Sequence, residues 1–330
     1  MADENILVGI SELSKLYPVG SGIFSHSDVF VHAVSKLNLN IMRGESVGLV
    51  GESGCGKTTT GKLLTRLVDP TEGMIELHTE EGVVDIASLR GKNLKRFRRR
   101  VQMIFQDPYE SMNPRLSIYD TVAEPLDVQG IGSIVEREER VAKLLETVDL
   151  APATSFMFRY PHELSGGQRQ RVAIARALVV EPDFVVADEP TSMLDVSVRT
   201  GVMHLMQDLA EHLEVTYLYI THDLAVARYM CDKIAVMYLG KIVESSETEE
   251  VLHNALHPYT KALLSAVPIP DPTMTRPTVE IKGGVSKPIN PIPRCRFHER
   301  CPIAQKVCEE SDHPPLEDKG GKHYVACYLV

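Results

Sequence analysis

The sequence predicts an α/β domain with a mostly parallel sheet, a helical insert and a small cysteine-rich module at its C-terminal end. Three observations predict it. Short apolar runs recur at 46–50, 101–105, 184–187 and 215–220, each the length of a strand buried on both faces. The stretch 117–181 has helical periodicity instead. Four of the six cysteines, Cys295, Cys301, Cys308 and Cys327, fall in the last 36 residues, where even scattering would place fewer than one.

The elements follow in order. Residues 6–17 and 33–41 alternate loosely between apolar and polar, as half-exposed strands do, with a Gly/Ser-containing loop from Gly20 to Asp28 between them. Ser46 to Val50 runs into a glycine-rich turn, and Lys57 to Val68 then carries Leu63, Leu64 and Leu67 at helical spacing. In the insert, Val141, Leu144, Leu145 and Val148 share one face of a charged helix, and 166–180 repeats the pattern. Ile234 to Tyr238, the turn Leu239-Gly240-Lys241 and Ile242 to Glu244 predict a β-hairpin. Beyond His257 prolines crowd the chain, from Pro258, Pro268, Pro270, Pro272 and Pro277 to Pro288, Pro291 and Pro293. The expected division is a domain over 1–257, with its helical part at about 117–182, and a tail module over 258–330 held by the cysteines.

Composition excludes several classes. A net charge of -10 argues against general affinity for nucleic acid, whose phosphates would be repelled unless basic groups were gathered on one face. No run approaches the roughly 20 apolar residues of a membrane-spanning helix. The N-terminal MADENILV is acidic where a signal peptide is basic, so a cytosolic protein that meets a membrane through partners is expected. In a reducing compartment the tail cysteines point to a metal or iron–sulfur site rather than disulfides.

The chemistry starts at Gly51, Glu52, Ser53, Gly54, Cys55, Gly56, Lys57 and Thr58, which satisfy G-x-x-x-x-G-K-[ST] between a predicted strand and a predicted helix, with Thr59 following. Small residues let successive backbone N–H groups turn toward phosphates, at a helix start whose dipole favours anions. Lys57 is expected to reach the β and γ phosphates and the Thr58 hydroxyl to ligate magnesium. Phe184-Val-Val-Ala-Asp188-Glu189 is an apolar strand ending in two carboxylates, a costly arrangement unless a cation or proton occupies it. Asp188 is assigned to magnesium and Glu189 to polarising the attacking water as general base. Leu164-Ser-Gly-Gly-Gln168 precedes an amphipathic helix and offers Ser165, Gly166, Gly167 and Gln168 at a second anion-attracting start; taken alone it would be a plain N-cap.

With these motifs in this order, the sequence resembles an ABC-type nucleotide-binding subunit over about residues 6–257, LSGGQ being that family's signature. The resemblance implies a P-loop NTPase fold with a RecA-like core, an antiparallel β subdomain and a helical subdomain. It also implies a dimer in which Ser165, Gly167 and Gln168 of one subunit close onto nucleotide held by the other. Gln106, ending VQMIFQ, matches the Q-loop, which senses the γ-phosphate through magnesium and water; His222 in Ile220-Thr-His-Asp matches the switch histidine. Ser192-Met-Leu-Asp195 matches the D-loop, with Met193 where Ala is usual, and Tyr17 matches the residue that stacks on adenine. As isolated residues Gln106 and His222 would be ordinary polar groups.

Asp107-Pro-Tyr-Glu-Ser-Met-Asn-Pro-Arg115 and His257-Pro-Tyr-Thr-Lys-Ala-Leu-Leu-Ser-Ala-Val267 resemble stretches of oligopeptide and dipeptide importers. That branch implies two permease subunits, a second ATPase, expected to be a paralogue in a heterodimer, and an extracytoplasmic solute-binding protein. It places the chain at the cytoplasmic face of the membrane. Nickel chelates or oligosaccharides remain alternative solutes. The cysteine tail resembles importer tails in which four thiolates hold a [4Fe–4S] cluster; soft thiolates suit tetrahedral zinc as well, and unligated thiols stay open. His298, His313 and His323 are near enough in sequence to replace a cysteine. Cys231 is read as structural, as is Cys55, although a helix start can lower a thiol pKa and make Cys55 reactive. The basic run Arg90 to Arg100 is read as a solvated helix face, with phosphate or membrane-partner contact as the sharper alternative. A non-transport ABC ATPase acting on nucleic acid or ribosomes would need a long coiled-coil insertion or a second cassette, and the chain has neither.

Overall fold

The computed structural model describes residues 5–20, 28–267, 279, 281–284 and 287–330. The acidic start, most of the Gly/Ser-containing loop, and Pro268, Pro270, Pro272 and Pro277 lie outside them. The chain divides into two compact units, one of residues 1–63, 67–87 and 220–330, the other of 64–66 and 88–219.

The first unit opens with β1 (Ile6–Pro18), β2 (Phe30–Met42), β3 (Ser46–Val50), α1 (Lys57–Leu64), β4 (Glu72–Thr79) and β5 (Gly82–Asp85). The second holds α2 (Gly91–Arg100), β6 (Val101–Ile104), α3 (Pro108–Ser111), α4 (Ile118–Gln129), α5 (Ile134–Thr147), α6 (Gly166–Leu178), β7 (Phe184–Asp188) and α7 (Val196–Leu213). After β8 (Thr216–Thr221) the first unit resumes with α8 (Leu224–Met230), β9 (Lys233–Tyr238), β10 (Lys241–Glu247), α9 (Thr248–His253), α10 (Pro258–Ser265), α11 (Lys306–Glu310), β11 (Glu317–Asp318) and β12 (Tyr324–Val325).

In the first unit β2-β1-β4-β5 form an antiparallel sheet, and β3 pairs in parallel with β9 in a second sheet that continues through β10, β12 and β11. The predicted hairpin is β9–β10, turned by Leu239 (φ 42°) and Gly240 (φ 83°). A Cβ at Gly240 would stand 2.8 Å from the His32 carbonyl oxygen, so the turn needs glycine for space as well as for φ. The helix after β3 ends at Leu64 rather than at Val68. Arg66 enters the left-handed region (φ 55°), and the Leu67 and Val68 N–H groups both fold back on the Lys62 carbonyl.

The tail is woven into this unit. β12 pairs with β10, the Ala326 N–H donates to the Val243 carbonyl (2.8 Å), and the His32 N–H donates to the Pro288 carbonyl (2.9 Å). Glu244, fully buried on β10, accepts from the Leu256 N–H (2.7 Å) and the His257 N–H (3.0 Å), and His323 Nε2 lies 2.7 Å from its carboxylate. A buried carboxylate with three donors is satisfied, and these three come from the segment before α10 and from the tail.

In the second unit β6 and β7 run parallel in register, Val101 opposite Phe184 and Ile104 opposite Ala187. All five residues of β7 are buried, consistent with an uninterrupted apolar strand, and each large aliphatic chain contributes about 1.5–3 kcal/mol. Helix α4 begins with a capping box at Ser117 and Asp120, α5 with one at Ser133 and Glu136. Along α2, Lys92, Lys95, Arg96, Arg98 and Arg99 are exposed while Phe97 is buried, a solvated face whose last three arginines suit the helix C-terminus.

Candidate functional site

The glycine-rich turn joins β3 to α1 in the first unit, as strand, loop and helix in sequence imply. Gly56 has φ +113°, and a Cβ there would meet the Ala33 carbonyl oxygen at 2.2 Å; Gly51 would bring one equally close to Met237 O. Both positions therefore need glycine. Lys57 is buried and its Nζ donates to the carbonyls of Gly51 (2.7 Å) and Glu52 (3.0 Å), folding the ammonium back over the loop it closes. Ser53, Gly54 and Thr58 are exposed, Thr59 half-buried.

Cys55 does not have the lowered pKa that a helix start can give a thiol, in keeping with its reading as structural. Burial pushes it up and outweighs the favourable charge of Lys57, so the thiol is a packing group. Cys231 is likewise buried and raised, again mainly by burial.

Two further features of the first unit were singled out. Tyr17, near the end of β1, is partly exposed, with Lys15 Nζ 5.1 Å from its ring centre. His222 is exposed just after β8, where the Asp223 N–H bonds to Thr221 Oγ1 and the Asp223 carboxylate caps α8.

In the second unit the register of β6 and β7 sets the geometry. Two residues past the paired Ile104 and Ala187 stand Gln106 and Glu189, and Gln106 Nε2 donates to Glu189 Oε2 at 3.1 Å. Both therefore lie at the carboxyl ends of adjacent parallel strands, where open α/β sheets place their chemistry. Asp188, at the end of β7, is buried. Glu189 has φ 46°, uncommon for a residue with a side chain, and its carbonyl accepts from the Ser192 N–H (3.1 Å) and hydroxyl (3.0 Å), which hold the turn.

Ser165 caps α6. Its Oγ accepts from the Gln168 N–H (3.3 Å), and Gln168 Oε1 accepts from the Ser165 N–H (3.0 Å), a reciprocal capping box. Gly167 is required sterically, because a Cβ would meet Val198 Cγ1 at 2.4 Å; Gly166 has ordinary space. Asp195 is exposed and precedes α7 without capping it through its side chain, and Met193 is exposed.

The tail cysteines do come near one another. Cys295 donates its N–H to the Cys308 carbonyl, and burial, reinforced by the Cys308, Cys327 and Cys301 thiols, raises the Cys295 pKa to about 11. An iron–sulfur or zinc site on Cys295, Cys301, Cys308 and Cys327 is nevertheless not supported: among the described residues no group of three or more His, Cys, Asp or Glu side chains is arranged to hold a metal ion. Burial raises the pKa values of the Cys295, Cys301 and Cys327 thiols, with the neighbouring tail thiols adding to the rise. Two of the nearby histidines have other partners. His323 is engaged by Glu244, and His313 Nδ1 accepts from the Arg296 N–H.

Residues that the sequence reading did not single out surround the turn. Arg300, buried in the tail, pairs with Glu52 through both guanidinium nitrogens (2.8 and 3.0 Å), and Tyr259 OH accepts from the Glu52 N–H (3.0 Å). Arg300 and Glu52 are 248 positions apart, so no local pattern announces the pair.

Comparisons with known proteins extend this geometry. The family model described as ABC transporter matches residues 34–192, and that of the oligopeptide/dipeptide transporter C-terminal region matches 243–308. The chain is 42% identical to the oligopeptide transport ATP-binding protein AppF of Bacillus subtilis, over 99% of this chain and 98% of that protein. It is 45% identical to a putative peptide import ATP-binding protein of Brucella ovis, over 98% of each. Among solved structures it resembles the dimeric post-hydrolysis state of the ATP-binding cassette MJ0796 bound to ADP and Pi, with TM-score 0.63, 31% identity, and 73% of this chain and 99% of that chain covered. It also resembles cbiO1 from Clostridium perfringens, part of the ABC transporter complex cbiONQ, with TM-score 0.64, 28% identity and coverage of 76% and 92%.

Proposed function

Because the chain belongs to the ABC transporter family as an ATP-binding cassette, we propose that its ATP hydrolysis powers the import of peptides through membrane permeases. The observation that carries this reading is the Gln106–Glu189 contact at the strand ends of the second unit, and the Lys57 turn of the first unit supports it separately. The relatives' names and the match to the oligopeptide/dipeptide C-terminal region support peptide as the solute.

In this reading the N–H groups of Gly51 to Thr58 and the Lys57 ammonium bind the ATP phosphates, Thr59 extends the helix start, and Tyr17 stacks on adenine. The oxygen donors of Thr58, Asp188 and Gln106 suit magnesium, a hard cation, and would hold it; when bound, it neutralises developing phosphate charge. Glu189 polarises the attacking water and Gln106 orients the Glu189 carboxylate. His222 donates to the γ-phosphate, and Lys57 exchanges its two loop carbonyls for phosphate oxygens. Ser165, Gly166, Gly167, Gln168 and Asp195 serve the nucleotide of a second ATPase subunit. For that the capping box at Ser165 and Gln168 must yield one of its partners.

A paralogous second ATPase, two permeases and an extracytoplasmic solute-binding protein complete the proposed transporter, with this chain on the cytoplasmic face. No helix among the described residues is long and apolar enough to cross a membrane, which suits attachment through partners. No step runs through the tail cysteines; analysis of iron, acid-labile sulfide and zinc in purified protein tests their occupancy directly. The functional test is ATP-driven uptake of labelled peptide in proteoliposomes holding the full transporter. Substituting Glu189→Gln should abolish uptake while magnesium-ATP still binds; uptake at the wild-type rate would sink the proposal.

A further inference from the structure

The phosphate-binding turn contains a residue that works against its own task. Glu52, directly after Gly51, puts a carboxylate beside a cradle meant for polyphosphate. At this range an uncompensated charge repels the ligand, all the more because the side chain is only 22% exposed and so poorly screened. The structure supplies compensation from the tail. Both terminal nitrogens of Arg300 meet the two Glu52 oxygens at 2.8 and 3.0 Å, the fork geometry that fixes direction as well as charge.

Arg300 is itself held rigidly. Its guanidinium lies 5.7 Å from the Tyr238 ring centre and donates toward Tyr238 OH at 3.5 Å. The Tyr238 ring packs on Tyr259 at 4.6 Å and on Phe297 at 5.2 Å, centre to centre. Tyr259 then fixes the same loop residue by its backbone, accepting the Glu52 N–H at 3.0 Å. Glu52 is thus pinned at both ends, at backbone by α10 and at side chain by the tail, while its carbonyl receives Lys57.

We propose that Arg300 is a positioning residue for ATP: through its bidentate pair with Glu52 it neutralises that carboxylate and fixes the turn in the form that accepts phosphate. The tail module therefore belongs functionally to the nucleotide site. The inference rests on the nucleotide-gripping role proposed above for the Lys57 loop.

The test measures equilibrium binding of magnesium-ATP, and steady-state hydrolysis, on the full-length chain at several salt concentrations. Arg300→Ala should raise the ATP Kd and KM by about tenfold with kcat little changed, the loss of one charge-assisted pair. Removing the Arg300 side chain opens the Glu52 carboxylate to solvent, where ions screen it, so that loss should shrink as salt rises. Adding Glu52→Gln to Arg300→Ala should recover most of the affinity, since the offending charge goes too. Arg300→Lys, which keeps charge without the fork, should fall between wild type and Arg300→Ala and serves if the alanine variant misfolds. A merely structural role would make the double variant no better than the single one, and that result overturns the proposal, as does an unchanged Kd in folded Arg300→Ala. Lys57→Ala separates the two failures. If it retains ATP binding, the loop's proposed role is wrong; if it loses binding while Arg300 variants do not, only the present inference falls.

Discussion

Replacing Glu244 tests how the tail is fastened to the first unit. Glu244→Ala removes an acceptor that is wholly buried and that serves the Leu256 and His257 N–H groups and the His323 ring. A buried donor left without a partner costs about 1–3 kcal/mol. The Leu256 amide is only partly buried and regains some hydration, so the sum for three donors is discounted to about 3–5 kcal/mol. Glu244→Gln keeps the oxygen that serves Leu256 and His323 but turns an NH2 toward the His257 N–H, for a smaller loss of about 1.5–3 kcal/mol. Guanidinium unfolding gives the ordering, and hydrogen exchange resolved at Leu256 and His257 locates it, because each 1.4 kcal/mol of easier local opening is tenfold faster exchange. An alanine variant within about 1 kcal/mol of wild type, with protection at His257 intact, would refute the reasoning.

Gly167→Ala should destabilise the second unit by about 1–3 kcal/mol through collision with Val198, and adding Val198→Ala should recover most of it, as read from thermal melts. His257 is buried, its Nδ1 accepts the Tyr259 N–H, and burial, aided by Lys261, depresses its pKa to about 3. The unfolded imidazole protonates near 6.5 and the folded one does not, so stability is full above about pH 6.5 and is lost as pH falls toward 3, by about 2 kcal/mol at pH 5. His257→Asn keeps a capping acceptor and removes the titration, so its stability profile between pH 7.5 and 5 should be flatter than wild type by about 2 kcal/mol; equal slopes would contradict it.

Much of the frame is readable in the chain because its signals are local. The turn 51–58 lies between an apolar run and a helical stretch, β6 and β7 are short apolar runs, and Leu239-Gly240 marks its hairpin. Other elements lack such signals. β4 and β5 carry polar residues on both sides, and α7 mixes valines and a glycine into its helical spacing, so neither stands out from loop. What the sequence cannot display are couplings across long separations. The Glu52–Arg300 pair and the Glu244–His323 contact span 248 and 79 positions. The four tail thiols gathered in sequence influence one another in space as well. For Cys55, read as structural despite its place at a helix start, burial raises the thiol pKa.

The most direct measurement is magnesium-ATP binding and turnover by purified chain, wild type beside Lys57→Ala and Glu189→Gln. Lys57→Ala should lose binding. Glu189→Gln should bind ATP and hydrolyse it at least about 100-fold more slowly, as expected when a general base is removed. Folded wild-type protein that ignores ATP, or variants that turn it over undiminished, would contradict the account.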